Sequence, residues 1–181
     1  MKVKLGNNLN SKKIKIGILG GSFDPAHKGH LAISKEALKI FNLKKVVWAI
    51  TKKNPFKKQS KTDLNARINY CKKVIGKNSF IKIKFYEDII KSNKTINLIN
   101  HLTKNKINEI YFLMGADNLL NFHKWHQWKK ISQKCQIIVF DRHGYKKKSL
   151  NSTTFKRLSK KNLKFINFKK VNISSSQLRK I

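Results

Sequence analysis

An α/β fold, a parallel β-sheet with helices on both faces, is predicted by three features of this 181-residue chain. Short apolar runs recur along its length. Between most of them lie segments with apolar residues at helical spacing, the alternation that builds parallel strands joined by helical crossovers. The runs are close to continuously apolar, as strands covered on both sides should be. No internal repeat or low-complexity linker breaks the series, and one domain is the natural size for a chain of this length.

The first run, Ile14 to Leu19, is followed by helical spacing over Leu31 to Phe41, and the second run is Lys45 to Ile50. Leu64, Ile68, Cys71 and Ile75 then recur three or four residues apart, predicting a helix over Leu64 to Ile75 ahead of the run Phe80 to Phe85. A shorter helical pattern over Thr95 to Leu102 leads into Glu109 to Met114. Trp125, Trp128 and Ile131 predict a helix over Trp125 to Ser132, before the runs Gln136 to Phe140 and Leu163 to Phe168. Thr51 to Thr62 reads as the best candidate for a mobile loop and Gly144 to Ser152 as the second. Residues 1–13 read as a basic tail, with neither the apolar stretch nor the cleavage site of a signal peptide, and 14–181 as one domain.

Hydrophobic residues make up 40% of the chain, ordinary for a globular protein, and no apolar run approaches the roughly 20 residues needed to span a bilayer. The two cysteines, Cys71 and Cys135, are far apart and outside any ligand-like spacing, which predicts neither a disulfide framework nor a zinc site and fits a reducing cytoplasm. The net charge of +34 invites a nucleic-acid reading. Yet of the 42 basic residues only Arg67, Arg142, Arg157 and Arg179 are arginine, and a nucleic-acid interface favours the planar guanidinium fork. A solvated lysine surface is the simpler reading, with weak, salt-sensitive attraction to polyanions as its consequence.

The chemistry is concentrated in residues 20 to 30, Gly-Gly-Ser-Phe-Asp-Pro-Ala-His-Lys-Gly-His, at a strand-to-helix junction. Gly20 and Gly21 allow a tight turn with exposed amides, and together with a helix N-terminus such amides form an anion site. His27 and His30 bracket Gly29, and two imidazoles there suit a polyphosphate, donating hydrogen bonds and stabilising charge on a leaving pyrophosphate. A metal pair is the competing reading, but Asp24 alone is a thin complement to two histidines. Histidines that only cap the helix are the third. Two further unusual stretches, Gly115-Ala-Asp117 and Asp141-Arg-His-Gly144, also follow strands, and in open sheets ligands bind beyond the carboxyl ends of strands. The three stretches should therefore converge.

The string Gly20 to His30 resembles the signature of nucleotidyltransferases with the (T/H)xGH motif, and its Phe-Asp-Pro variant is similar to that of the nicotinate-nucleotide adenylyltransferases. Ile173-Ser-Ser-Ser-Gln-Leu-Arg179 resembles the second phosphate motif of that family, usually Ile-Ser-Ser-Thr-x-Ile-Arg. Phe112 to Trp128 is similar to its Gly-x-Asp…Phe…Trp segment, while Asn54-Pro55-Phe-Lys57 and Arg142-His-Gly144-Tyr resemble its Asn-Pro loop and Arg-Pro-Gly turn. The likeness runs from about Lys15 to Arg179. Ser176 stands for the usual Thr and keeps the hydroxyl, His143 replaces the usual Pro, and Lys94 stands where an aromatic often precedes Thr95.

The resemblance implies a Rossmann-like doubly wound sheet of the HxGH nucleotidyltransferase type. It implies adenylyl transfer from ATP to nicotinate mononucleotide, giving deamido-NAD and pyrophosphate in cytoplasmic NAD synthesis, with Mg²⁺ carried by ATP. His27, His30 and Arg179 would be catalytic. Gly20, Gly21, Ser22, Phe23, Arg142, Ser174, Ser175 and Ser176 would join them around ATP. Asn54, Lys57, Thr95, Asp117, Trp125 and His126 would surround the mononucleotide, with Arg67 a further candidate for its phosphate. By spacing alone Trp125 reads as a core residue; the resemblance makes it a stacking face. Asp117 stays open between a ribose contact, a loop-orienting role and a helix N-cap. The rival within the class is an enzyme using nicotinamide mononucleotide or another nucleophile, and the rival outside it is a basic nucleic-acid-binding protein. The expected partners are the two nucleotides, with no specific nucleic acid and no membrane; a homo-oligomer is left open.

Overall fold

The structure is a computed structural model and describes residues 13–52 and 62–168. Every expected strand is present: β1 (Ile14–Gly21), β2 (Lys45–Ile50), β3 (Ile81–Phe85), β4 (Asn108–Gly115), β5 (Gln136–Phe140) and β6 (Leu163–Ile166). They form one sheet in the order β3-β2-β1-β4-β5-β6, each neighbouring pair parallel. Strand order reverses between β1 and β4, and a crevice at the carboxyl ends of the strands is expected at that point.

The continuous apolar runs are explained by two cores. Ile18, Ala49, Phe112 and Val139 face one; Leu19, Trp48, Leu113 and Phe140, each next to one of these in sequence, face the other. Helices α1 (Lys28–Phe41) and α2 (Leu64–Ile75) cover the second core through Ala37, Phe41, Cys71 and Ile75. Counting the short α3 (Glu87–Ile90) and α5 (Ala116–Leu119), the first core is covered mainly by α4 (Thr95–Thr103) and α6 (Trp128–Lys134), through Ile96, Ile99 and Ile131. Burial pushes the thiols of Cys71 and Cys135 up to about 12, so both pack as apolar side chains.

Three expectations need correction. The first predicted helix starts earlier, at Lys28, because His27 caps it. The helix expected from Trp125 starts at Trp128, and Trp125 instead follows a 3-10 turn, Phe122–Lys124, in extended conformation. The segment Gly144 to Ser152 is not simply a loop: it carries α7 (Lys146–Leu150), followed by α8 (Thr153–Arg157). Its run of lysines reads as solvated chain, but Ser149 is fully buried and its hydroxyl is shared between the carbonyls of Tyr145 at 2.6 Å and Ala116 at 2.9 Å, placing α7 against α5.

Candidate active site

The turn after β1 delivers His27 and His30 to the start of α1 in a reciprocal cap. The Gly29 amide donates to Nδ1 of His27 at 3.1 Å, and the His27 amide donates to Nδ1 of His30 at 3.2 Å. Two of the amides that a helix N-terminus leaves unmatched are thereby satisfied. An Nδ1 that accepts a bond carries no proton, so in each neutral ring the proton lies on Nε2. Capping and anion binding are therefore compatible, because they use different nitrogens. The two rings lie with centroids 3.9 Å apart. Phe23 is buried beneath them, its ring 4.8 Å from that of His30, in a left-handed backbone conformation with φ of 49°.

On the other face of the sheet the same turn borders a cavity of about 320 Å³. Its floor is Gly20, Gly21 and Phe112, and its walls include Thr51, Tyr86, Glu87, Lys94, Thr95, Leu98, Trp125 and His126. A Cβ at Gly20 would come 3.6 Å from the Phe112 ring on the cavity side, whereas one at Gly21 would come 3.6 Å from the Phe23 ring on the histidine side. The Trp125 ring stands edge-on to Phe112 at 6.0 Å and tilted against Phe122 at 5.1 Å, which fixes its plane. Glu87 was not singled out from the sequence; both its oxygens lie 3.3 Å from the Lys52 amide that donates to them. Burial holds its carboxyl above the usual glutamate range, opposed by that amide bond and by the Lys52 charge. Its rarity was the available signal, since the chain has only 8 acidic residues.

Arg67 does not face the cavity with open donors. It is 3% exposed, and its guanidinium donates to the carbonyls of Ser22 (2.6 Å), Thr51 (2.8 Å), Thr62 (3.1 Å) and Lys52 (3.3 Å). The mononucleotide-phosphate role expected of it is replaced by a clasp joining the β1 turn, the end of β2 and the approach to α2.

The other two strand-end stretches do converge. Arg142, after β5, donates to the carboxylate of Asp117, after β4, at 2.6 Å, and Asp141 accepts from the Arg142 amide at 2.7 Å. Asp117 thus orients Arg142 and does not cap its helix, where Gly115 is the N-cap residue. A Cβ on Gly115 would come within 2.5 Å of the Asp117 carboxylate, so the glycine makes room for this pair. Asp117 and Arg142 lie outside the cavity wall, whereas Thr95, Trp125 and His126 line it. Asn54, Lys57, Ser174, Ser175, Ser176 and Arg179 fall outside the described residues.

Comparison with known proteins shows what the whole chain is similar to. The family model described as cytidylyltransferase-like matches residues 18–181. A protein of Pelagibacter ubique (strain HTCC1062) named "Probable nicotinate-nucleotide adenylyltransferase" is 69% identical, covering 99% of each chain. One of the same name from a Nitratiruptor species is 38% identical over 74% of this chain and 76% of its own length. The fold is similar to that of Plasmodium falciparum nicotinic acid mononucleotide adenylyltransferase complexed with NaAD. That similarity has a TM-score of 0.76 at 23% identity, over 92% of this chain and 83% of the other.

Proposed function

The chain belongs to the cytidylyltransferase-like family, and on that premise we infer that it transfers the adenylyl group of ATP to nicotinate mononucleotide, giving deamido-NAD and pyrophosphate in NAD synthesis. The observation that carries the site assignment is the pairing, across Gly20 and Gly21, of a histidine-lined helix N-terminus with an aromatic-walled cavity. One side suits a polyphosphate and the other a flat heteroaromatic ring.

The nucleophile, a phosphate, is already anionic at neutral pH, so no side chain need remove a proton. Catalysis is then positioning and charge stabilisation. His27 and His30 would donate from Nε2 to the triphosphate, the capping bonds having fixed that nitrogen as the proton carrier. Arg142, oriented by Asp117, would add a guanidinium, with Ser174, Ser175, Ser176 and Arg179 gripping the outer phosphates. Trp125 would stack on the pyridine ring, with Thr95, Lys94 and the backbone at His126 around its carboxylate. Asn54 and Lys57 would meet the mononucleotide phosphate. Mg²⁺ would arrive as part of the ATP substrate. Among the described residues no three His, Cys, Asp or Glu side chains gather to cage an ion, and a Mg²⁺ held mainly by phosphate oxygens and water needs none.

The test is pyrophosphate release from Mg-ATP with nicotinate or nicotinamide mononucleotide, run beside His30→Ala. Turnover with the acid, reduced on the order of a hundredfold or more in the variant, is expected. Equal or faster turnover with the amide moves the assignment to the sister activity, and silence with both overturns it.

A further inference from the structure

Trp48 is fully buried on β2, a strand whose other buried positions are filled by Val46, Val47, Ala49 and Ile50. A phenylalanine or leucine would fill apolar space there without bringing a polar N–H that must be matched. The indole N–H donates to Oγ of Ser34 at 2.8 Å, and that hydroxyl donates to the carbonyl of His30 at 2.8 Å. Ser34 is itself fully buried. The indole also stacks on Phe23, centroids 4.9 Å apart and planes 13° apart, and stands edge-on to the His30 ring at 5.8 Å. His30 is therefore gripped twice by one tryptophan: at its ring, directly and through Phe23, and at its backbone, through Ser34.

Each contact fixes a different freedom. The Ser34 bond stops the indole from turning about its own axis, so the face offered to Phe23 is constant. Phe23 in turn supports the His30 ring from below. The bond from the His27 amide to Nδ1 of His30 is only 3.2 Å long while the ring stays at that height, and it sets which nitrogen carries the proton. A buried, fully matched polar pair of this kind gives orientation at a desolvation cost that an apolar pair would avoid.

We propose that Trp48 and Ser34 are positioning residues for the reaction: the Trp48–Ser34–His30 hydrogen-bond chain and the Trp48–Phe23–His30 stack hold the His30 imidazole at the depth and in the tautomer needed to donate to phosphate. The proposal rests on the adenylyl-transfer reading for its kinetic consequence and on geometry alone for its structural one.

The experiment is a pair of double-mutant cycles on the full chain, Trp48→Phe and Ser34→Ala, each made alone and with His30→Ala. Rates are measured with Mg-ATP and nicotinate mononucleotide, and the ¹⁵N signals of the histidine rings are recorded in parallel. Each single variant should lower kcat on the order of ten- to a hundredfold, the scale of a small misplacement of a reacting group. The KM for nicotinate mononucleotide should move less than about twofold, since Trp48 lies on the other side of the sheet from the cavity. In the His30→Ala background neither should lower kcat further. The His30 ring should change from one Nε2-protonated form to a mixture, while exposed His126 keeps its signal. Equal losses of kcat with and without His30 overturn the proposal, as does an unchanged His30 signal in both variants. Ser34→Ala removes a single hydroxyl and guards against a Trp48 variant that fails to fold. If the unaltered protein makes no product, the reaction assignment fails while the ring signals still decide the positioning claim.

Discussion

The two sides of the candidate site are built from different interactions. On the β1–β2 side the groups are buried or half-buried and held by neutral acceptors: backbone carbonyls take four of the Arg67 donors, and imidazole nitrogens take the capping amides. On the β4–β5 side carboxylates do the holding: Asp117 pairs with the Arg142 guanidinium, the two side chains 18% and 27% exposed, and Asp141 accepts from the Arg142 amide. A neutral buried clasp is little affected by salt, whereas a part-exposed ion pair is screened by it. The contrast fits a chain of net charge +34, in which carboxylates are too few to serve as filler. Asp63 caps α2, Glu87 and Asp88 engage Lys52, and Asp117 and Asp141 hold Arg142. Each of these five carboxylates serves a specific bond.

The largest expected effect comes from breaking the buried side. Arg67→Met would leave four carbonyls from three segments unmatched, costing about 3 kcal/mol, or a fall of roughly 6 to 12 °C in Tm for a chain of this size. Thermal unfolding would measure it, and Arg67→Lys, a point charge without the planar fork, should recover less than half. A Tm near that of the unaltered protein together with a raised KM for nicotinate mononucleotide would return Arg67 to phosphate binding and remove one half of the contrast.

That result also bears on what could be read in the chain beforehand. The strands were legible because both faces of the sheet are apolar, and the place of the first turn was legible because two glycines follow the first apolar run and a helical pattern follows them. Arg67 was misread because a lone arginine on a helix says nothing of where its fork ends; its acceptors are carbonyls far apart in sequence. Glu87 and the Trp48–Ser34 pair were missed for the same reason. The helix at Lys146 to Leu150 was hidden because only Ser149 is buried there, and a serine among lysines carries no apolar period.

A smaller effect is expected on the β4–β5 side. Asp117→Asn keeps a hydrogen-bond acceptor but removes the charge that orients Arg142, so Tm should move by no more than an exposed pair allows, about 1 kcal/mol or less. The KM for ATP should instead rise roughly tenfold, the loss of one charge-assisted contact. In the unaltered protein that KM should rise with added salt, and the dependence should weaken in the variant. Loss of stability without a change in KM would make Asp117 a structural residue and the two sides alike.

The smallest effect probes the boundary between the sides, at Glu87, where a carboxylate sits in the wall of the cavity. Burial raises its carboxyl above the ordinary value of 4.5, so over the interval between the two values the folded protein holds a proton that the unfolded chain has released. The contribution is complete below that ordinary value and is lost as pH rises through the folded one. Glu87→Gln cannot ionise and still offers an oxygen to the Lys52 amide, so the variant should gain on the unaltered protein as pH rises above 4.5. Solvent screening keeps the gain to roughly 1 to 2 °C in Tm. Paired melting curves across that range give its sign. A variant that loses ground as pH rises would mean that the ionised carboxylate is favoured by Lys52 more than burial penalises it. Charge would then be holding the β1–β2 side as well, and the division between a neutral flank and an ionic one would not stand.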